Sequence, residues 1–478
     1  MFPLLESYLK EFRSCFRREA TFKWFVVIIV GFMQRSDFLG ITSVFRDLML
    51  NGNLYECMRA FFYSTAWSLE DIRHRWYSIV KMSGLVYCVN GRTVLAGDGV
   101  KKAKEARYMP GVKKLMQESE NSSKAKYIFG HLFGAVGVVL GKTRGLLCLP
   151  LKINIQDGIR AAAEWEGSEI SSESHVLQMI NNSFEATKSF GKSIVLLDRY
   201  FLSVPALKRL ASLNEAYDKG EPVLEVVTKA KSNCVAYEKP SEADPHRPGR
   251  RRRKGKSIHL SDLWENTNRF VTTKAFVYGG LHDVSYYSCD LLWGKTLYRE
   301  LRFVLVVYDN TQSILVSTDL SLSPVEIIEL YGLRQKIETC FREFNQQFGG
   351  FTYHFWTKSI EKLNHFKRKD EPDPLSKVSD KDDRRLILSK LKAIEGYVLL
   401  STIAMGIVQM LSLHEELNGP VQACRYLRTA PKNRVSEASI VYFMRKSFFA
   451  LMLQHPNSFI TRYILEKQIS DFDEFEAA

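Results

Sequence analysis

The chain has few cysteines, and none of them stand as a pair. Eight are spread over 478 residues, at Cys15, Cys57, Cys88, Cys148, Cys234, Cys289, Cys340 and Cys424, with no C-x-x-C spacing. That excludes a zinc knuckle and a dithiol redox motif. Scattered thiols in a long chain fit a reduced, intracellular setting. Long hydrophobic runs are also scarce. "WFVVIIVGFM" (Trp24 to Met33) has ten residues, about half of the ~20 that a membrane-spanning helix needs. "YVLLSTIAMGIVQMLSL" (Tyr397 to Leu413) is longer, but Glu395 and Gln409 flank or interrupt it. A buried core helix is expected there rather than a membrane span. "MFPLLESYLKEF" has acids early and no small-residue cleavage site, so no secretory signal is expected. Acids are outnumbered by bases, 53 to 67, for a net charge of +14. That surplus points to a polyanionic partner, nucleic acid first and an acidic membrane second. No strong basic amphipathic helix favours the membrane.

What is present reads as a globular α/β chain. Hydrophobic residues make up 45% and charged residues 25%, ordinary for a protein with a real core. At roughly 100–200 residues per domain, the length suggests three or four units. Residues 1 to 88 read as helical. "SDFLGITSVFRDLMLN" has Ser36 and Asp37 as cap candidates, and Ser68 precedes Glu70 and Asp71 in the next helix. This region is either a DNA-binding module or a plain helical one. The pattern changes at Arg92. "RTVLAGDG" reads as a strand that stops in a turn at Asp98 and Gly99. "YIFGHLFGAVGVVLG" and "GLLCLPLKINI" read as strands. "SSESHVLQMINNSFEATKSF" reads as a helix capped by Ser171 or Ser172, and "KSIVLLDRYF" as a buried strand ending at Asp198. The order over residues 92 to 200 is β-β-β-α-β. Residues 220 to 317 are mostly strand-like, rich in Val, Tyr, Phe and Thr. The basic loop "HRPGRRRRKGKS" (His246 to Ser257) interrupts them. "SPVE" (Ser323 to Glu326) is a capping box with proline at the first helical position. "ELYGLRQKIETCFREFN" (Glu329 to Asn345) then reads as one helix. A charged linker runs from Lys367 to Arg385, and residues 386 to 478 are again helical.

Three acids stand in a suggestive order. Asp98 and Asp198 sit where strands are expected to end, and Glu338 lies on the later helix. Adjacent strand ends would bring the aspartates close. Hard divalent ions such as Mg²⁺ take carboxylate oxygens, and two ions about 3.5–4 Å apart support phosphodiester cleavage. Acids at strand ends also form turns and cap helices. At about 100° per residue, Tyr331, Arg334 and Glu338 share one stripe, with Arg342 a turn further on. Arginine suits bidentate phosphate contact. The plain alternative is a solvated Glu338–Arg342 pair.

With these motifs the sequence resembles the DDE transposases of bacterial insertion sequences, in the group named after insertion sequence four. Their signature is Tyr, two residues, Arg, three residues, Glu, six residues, Lys. Here Tyr331, Arg334 and Glu338 match, and Asn345 stands in place of the lysine. "LAGDG" and "VLLDRYF" resemble the settings of the family's two aspartates. The likeness covers roughly residues 90 to 415. It implies an α/β fold: a ribonuclease-H-like mixed-sheet core with a β-rich insertion, flanked by N-terminal and C-terminal helical regions. The implied division is 1–88 (helical, DNA-binding), 89–219 and 318–415 (the two parts of the core), 220–317 (the insertion) and 416–478 (helical, dimerisation).

The resemblance also implies a reaction. Such an enzyme binds inverted repeats at the ends of its mobile element, cleaves the DNA there, and joins the 3′ ends to a target. Asp98, Asp198 and Glu338 are then the catalytic ligands of Mg²⁺, two ions, with Mn²⁺ as a substitute. Tyr331 and Arg334 hold DNA near the cut, and Arg342 or another cation makes up for Asn345. The protein is expected to act as a homodimer on double-stranded DNA, in the cytoplasm at the bacterial nucleoid, without a membrane. Lys101, Lys102 and Lys104 would lie along DNA. Arg250, Arg251, Arg252 and Arg253 would clamp a backbone, or form a solvated loop. Trp293, or Trp264, would stack on an extruded base, or pack in the core. His354 and Trp356 would border the site, and His131 is expected in the core. Two other readings stay open: a metal-dependent nuclease without strand transfer, and a catalytically inactive DNA-binding relative.

Overall fold

Cap signals and apolar spacing dominate the first 88 residues, and helices form there. The computed structural model describes residues 1–104, 106–117, 125–142, 145–167, 173–217, 220–240, 252–364, 373–417, 421 and 435–469. Helices α1 (Phe2–Lys10), α2 (Glu19–Gln34), α3 (Thr42–Asp47), α4 (Tyr55–Phe61) and α5 (Leu69–Met82) precede the first strand. Ser68 caps α5 by accepting the Asp71 amide, which satisfies an orphan helix-end donor. Ser36 and Asp37 are not caps. They bond Asp47 and Arg46, so they latch onto the end of α3 rather than starting it.

The strands are β1 (Cys88–Val89), β2 (Arg92–Ala103), β3 (Lys113–Met116), β4 (Tyr127–Leu140), β5 (Leu147–Ile155), β6 (Ser193–Leu196) and β7 (Leu224–Lys229). They continue as β8 (Val235–Tyr237), β9 (Ser257–His259), β10 (Val271–Val277), β11 (Gly280–Trp293), β12 (Arg299–Tyr308) and β13 (Thr311–Ser317). Among the described residues these thirteen strands form one mixed sheet. β5, β4 and β2 pair antiparallel, whereas β2, β6 and β7 are parallel. The parallel strands need crossovers. Helices α6 (Arg160–Trp165) and α7 (His175–Phe190) link β5 to β6, and α8 (Val204–Tyr217) links β6 to β7. All four residues of β6 are buried, as a parallel strand covered on both faces requires. β13 pairs antiparallel with β7, and β12, β11 and β10 follow in an antiparallel ladder.

Several expectations are corrected here. β2 does not turn at Asp98; it runs on to Ala103. Only its β6 partner stops, after Ala96↔Leu196. β7, expected within the insertion, pairs parallel with β6, and the remaining insertion strands extend the same sheet. Ser171 and Ser172 lie outside the described residues, and Ser174 occupies the cap position of α7. The stretch 329 to 345 is two helices, α9 (Pro324–Leu333) and α10 (Gln335–Gln346). They meet at Arg334, where the Arg334 amide bonds the Tyr331 carbonyl and the Ile337 amide bonds the Arg334 carbonyl. Such i→i−3 bonds tighten the turn. The capping box at Ser323 and Glu326 is present.

Around β2 the sheet is covered on both faces. A Cβ on Gly97 or Gly99 would meet Met179 or His175 of α7, so α7 lies against that side of β2. The 32-residue helix α11 (Lys381–Ser412) packs on β5, α2 and α5. It is long and apolar enough to cross a membrane, and 94% of its most apolar window is buried inside the protein. Two of its polar side chains bond to β5. Glu395 accepts the Ile155 amide at 3.1 Å, and Gln409 donates to the Cys148 carbonyl at 3.0 Å. The helices Glu437–Gln454 and Phe459–Leu465 also pack on α2, so the terminal helical regions share one layer. Fully buried Arg35 fastens that layer to the end of α10. It donates to Gly40 and Gly349 carbonyls at 3.1 and 3.2 Å, to the Phe348 carbonyl, and to the Tyr397 hydroxyl at 2.6 Å.

Candidate functional site

The three acids emerge from different elements. Asp98 lies on β2 just past the point where β6 stops pairing, so the strand edge beside it is open. Residues alternate faces along a strand. Gly97 and Gly99 face α7, and Asp98 therefore faces the opposite side, where α10 lies. Asp198 comes two residues after β6. Its carboxylate accepts the Arg199 amide at 2.7 Å and starts the turn Arg199–Phe201. Its carbonyl is held by the Thr228 hydroxyl at 2.9 Å. Glu338 is in the first turn of α10.

One guanidinium joins two of these acids. Arg334 donates from Nη2 to Asp98 Oδ2 at 2.7 Å and from Nη1 to Glu338 Oε1 at 2.9 Å. The joint between α9 and α10 aims Arg334 at both. Asp98 Oδ1 accepts the Gly99 amide at 2.8 Å. Burial pushes the Asp98 carboxyl up to about 6; Arg334 and the Gly99 amide oppose this, while the charges of Asp198 and Glu338 add to it. Burial alone would pull Arg334 down, but Asp98, Asp198 and Glu338 hold it above its ordinary value. Burial raises the Tyr331 hydroxyl, and the Asp198 and Glu338 charges reinforce the shift. The five groups thus share one electrostatic neighbourhood. Lys229, at the end of β7, joins it: burial and Arg199 pull it down, Asp198 pulls it up. Sequence reasoning missed Lys229, since nothing in its spacing marks it.

The donor set is oxygen only, which suits a hard divalent ion. The spacing is looser. Among the described residues, the His, Cys, Asp and Glu group whose ligand atoms all lie within 4.8 Å of one another is Glu70, His74 and Glu185, not the three acids. Arg334 stands between Asp98 and Glu338, and an ion contacting both displaces it from at least one. The Glu70–His74–Glu185 cluster has cationic partners already: Glu70 pairs with Arg73, and Glu185 with Lys152 at 2.6 Å. Its i, i+4 Glu–His spacing on α5 was a signal that the sequence reading did not take up.

The basic residues fall into distinct settings. Lys102 and Lys104 share the strand parity of Asp98. Lys102 Nζ donates to Asn345 Oδ1 at 3.1 Å and lies 4.9 Å from the Phe351 ring centre. Lys104 Nζ donates to the Phe351 and Tyr353 carbonyls at 2.6 and 3.1 Å. Burial, with Lys102 beside it, pulls Lys104 down to about 8. Lys101, on the other parity, reaches the Met116 carbonyl of β3 at 2.7 Å. Arg342 is exposed and pairs with Glu343 at 3.3 Å; the Glu338–Arg342 pair does not form, because Arg334 takes Glu338. Arg250 and Arg251 lie outside the described residues. Arg252 and Arg253 are exposed, and Arg253 lies 5.6 Å from the Tyr298 ring centre. Trp293 is half-buried, with its indole N–H on Cys234 Sγ at 3.1 Å. Trp264 stacks on Phe270. His131 is buried between the Tyr353 hydroxyl at 2.6 Å and the Pro110 carbonyl at 2.9 Å, in the core.

No protein-family model, curated protein or solved structure matches the chain.

Proposed function

We propose that the chain is a divalent-metal-dependent DNA transposase with a ribonuclease-H-like core, which cleaves DNA at the ends of its element and joins the 3′ ends to a target. The observation that carries this reading is the bridge from Arg334 to Asp98 and Glu338, with Asp198 near enough for its charge to act on the same guanidinium. The strand order supports it. In the unit β5-β4-β2-β6-β7 the first acid is on the first strand in chain order, and the second follows the fourth. Asp98, Asp198 and Glu338 would hold the metal. Bound there, Mg²⁺ or Mn²⁺ supplies activation of a water or hydroxyl and stabilisation of the leaving oxygen. Arg334 gives up a carboxylate in that state, and its planar donors become free for a phosphate oxygen. Lys102 and Lys104 extend the basic surface along β2, in keeping with the +14 charge. Homodimerisation, pairing two DNA ends, is supported by Tyr442, Phe449 and Leu453, exposed along the helix Glu437–Gln454. The proposed setting is the bacterial nucleoid.

A second reading, a DNA-binding relative without catalysis, is favoured by the guanidinium already seated between two of the acids, and by Asn345. One experiment separates them. A duplex carrying the gene's own flanking end is incubated with the protein and with Asp198→Ala, in Mg²⁺ and in Mn²⁺. Nicking at the element boundary that disappears in Asp198→Ala, with DNA binding retained, supports the transposase. Binding without any cleavage in either metal leaves only the DNA-binding relative. Cleavage without joined products points to a nuclease.

A further inference from the structure

Away from the carboxylates, a cavity of about 500 Å³ opens between α3, α4, the chain after α10, and α11. It is in the ~300–1,000 Å³ range of ligand sites. Trp356 stands in its wall with 56% of its surface exposed. Tyr63 stands there too, with Lys390 Nζ 4.2 Å from its ring centre and 3.1 Å from its hydroxyl. Arg59, His354, Thr42 and Thr357 add polar lining, and Leu386 adds an exposed apolar edge. No carboxylate is among its lining residues; Glu56 pairs with Arg59 from outside. An open indole face beside cations, with no acid in the lining, suits a stacked base on a phosphate backbone better than a run of carboxylates, which offers charge but no ring to stack.

Buried Tyr353 stands between the cavity and β2. Tyr353 lines the cavity, and Lys104 Nζ lies 3.7 Å from the Tyr353 ring centre. Lys104 and Lys102 lead back along β2 to Asp98. Six residues of strand span about 20 Å, the reach of a few nucleotides of extended chain.

We propose that this cavity binds an unstacked base of a single DNA strand, whose phosphates follow Lys104 and Lys102 towards Asp98. The proposal rests on the transposase reading for the strand's destination. Trp356 supplies the stacking face, and Lys390 and Arg59 supply counter-charge.

The test uses the full chain and a fluorescent oligothymidylate, with binding followed by anisotropy. Trp356 is exposed, so its replacement leaves the core untouched. Trp356→Ala is expected to weaken binding about tenfold, as loss of one stacking contact does, while Trp356→Phe stays close to the unmodified protein. A 5-iodouracil oligonucleotide is expected to crosslink to Trp356 or Tyr63. Unchanged affinity in Trp356→Ala, or crosslinks found only elsewhere, overturns the proposal. Displacement by polyglutamate with no effect of Trp356→Ala assigns the cavity to an acidic peptide and also overturns it. The two readings fail separately. Intact metal-dependent cleavage with normal binding by Trp356→Ala removes the cavity alone. Absence of cleavage, with binding still lost in Trp356→Ala, removes the transposase alone.

Discussion

Replacing Asp98 by asparagine should make the metal-free protein more stable and, on the proposed reading, abolish cleavage. The Asp98 carboxyl is pushed from 3.8 up to about 6, chiefly by burial. An unfolded chain ionises this group near its ordinary value, whereas the fold holds the proton longer. Stability therefore falls as pH rises from about 4 to about 6, stays lower above that, and carries no such loss below about 4. A shift of about 2 units corresponds to roughly 3 kcal/mol. The side chain keeps 21% of its exposure, and water relaxes part of that cost, so about 2 kcal/mol is the expected size. Asparagine is the neutral isostere. Its Oδ1 can accept from Arg334 or from Gly99 but not from both, and Arg334 keeps only Glu338 as its bonded counter-charge, so the lost bond takes back about 1 kcal/mol.

The assay is urea unfolding in EDTA, comparing the protein with Asp98→Asn. At pH 7.5 the variant is expected to gain about 1 kcal/mol net of the lost bond, and at pH 5 next to nothing. Mg²⁺ should close the gap. At about 100 times its Kd, a ligand that binds only the folded state adds about 2.7 kcal/mol, to the unmodified protein and not to the variant. A variant no more stable at pH 7.5, or one whose gain persists unchanged to low pH, would refute the argument. A gain in stability with loss of cleavage is the pattern of a site held in a costly state for function.

Three further outcomes are expected. Lys104, at about 8, is charged below that pH and neutral above it. The salt slope of oligothymidylate binding should therefore shrink by about 0.7 between pH 7 and pH 9, and Lys104→Arg should abolish that change. Gly130→Ala would drive a Cβ into the backbone carbonyl of Lys102, so it should destabilise the β2–β4 pairing by about 1–3 kcal/mol, read by urea unfolding. Arg35→Met leaves carbonyls at Gly40, Phe348 and Gly349 and the Tyr397 hydroxyl without their donor. A loss of at least about 3 kcal/mol is expected, read as a lowered thermal midpoint.

The mixed α/β architecture was legible because its strands are apolar runs and its helices carry caps. Ser68 and the box at Ser323 and Glu326 are local signals, and local geometry honours them. The extent of β2 was not legible. Gly99, Lys101 and Lys102 look like a turn followed by a basic loop, yet pairing with β4 carries the strand through them, a tertiary effect that outweighs propensity. The joint at Arg334 was hidden for a similar reason. Its residues favour helix, and the break follows from how α9 and α10 each pack on the sheet. The bond from Arg334 to Glu338 was not legible because both Arg334 and Arg342 stand four residues from Glu338. Only the fold, by bringing Asp98 opposite, favours Arg334. Arg35 and Lys229 carry no sequence signal, since their partners lie far along the chain.

Arg334 links the remaining parts of the argument. Its side chain is 13% exposed, so its charge requires partners wherever it points, and at present these are Asp98 and Glu338. Removing the metal-free partners' negative charge by binding a cation would leave Arg334 facing like charge. It then needs another anion at the same edge of the sheet, which on the proposed reading is a DNA phosphate. On the proposed reading, metal and DNA binding are therefore coupled: each makes the other more favourable through a single guanidinium. Thermodynamic reciprocity fixes the sign. Mg²⁺ should tighten DNA binding and DNA should tighten Mg²⁺ binding by the same factor, and Arg334→Gln should reduce that factor towards one. A variant that keeps the full coupling would mean that Arg334 is a fixed strut between two helices and a strand, not the group that exchanges carboxylate for phosphate.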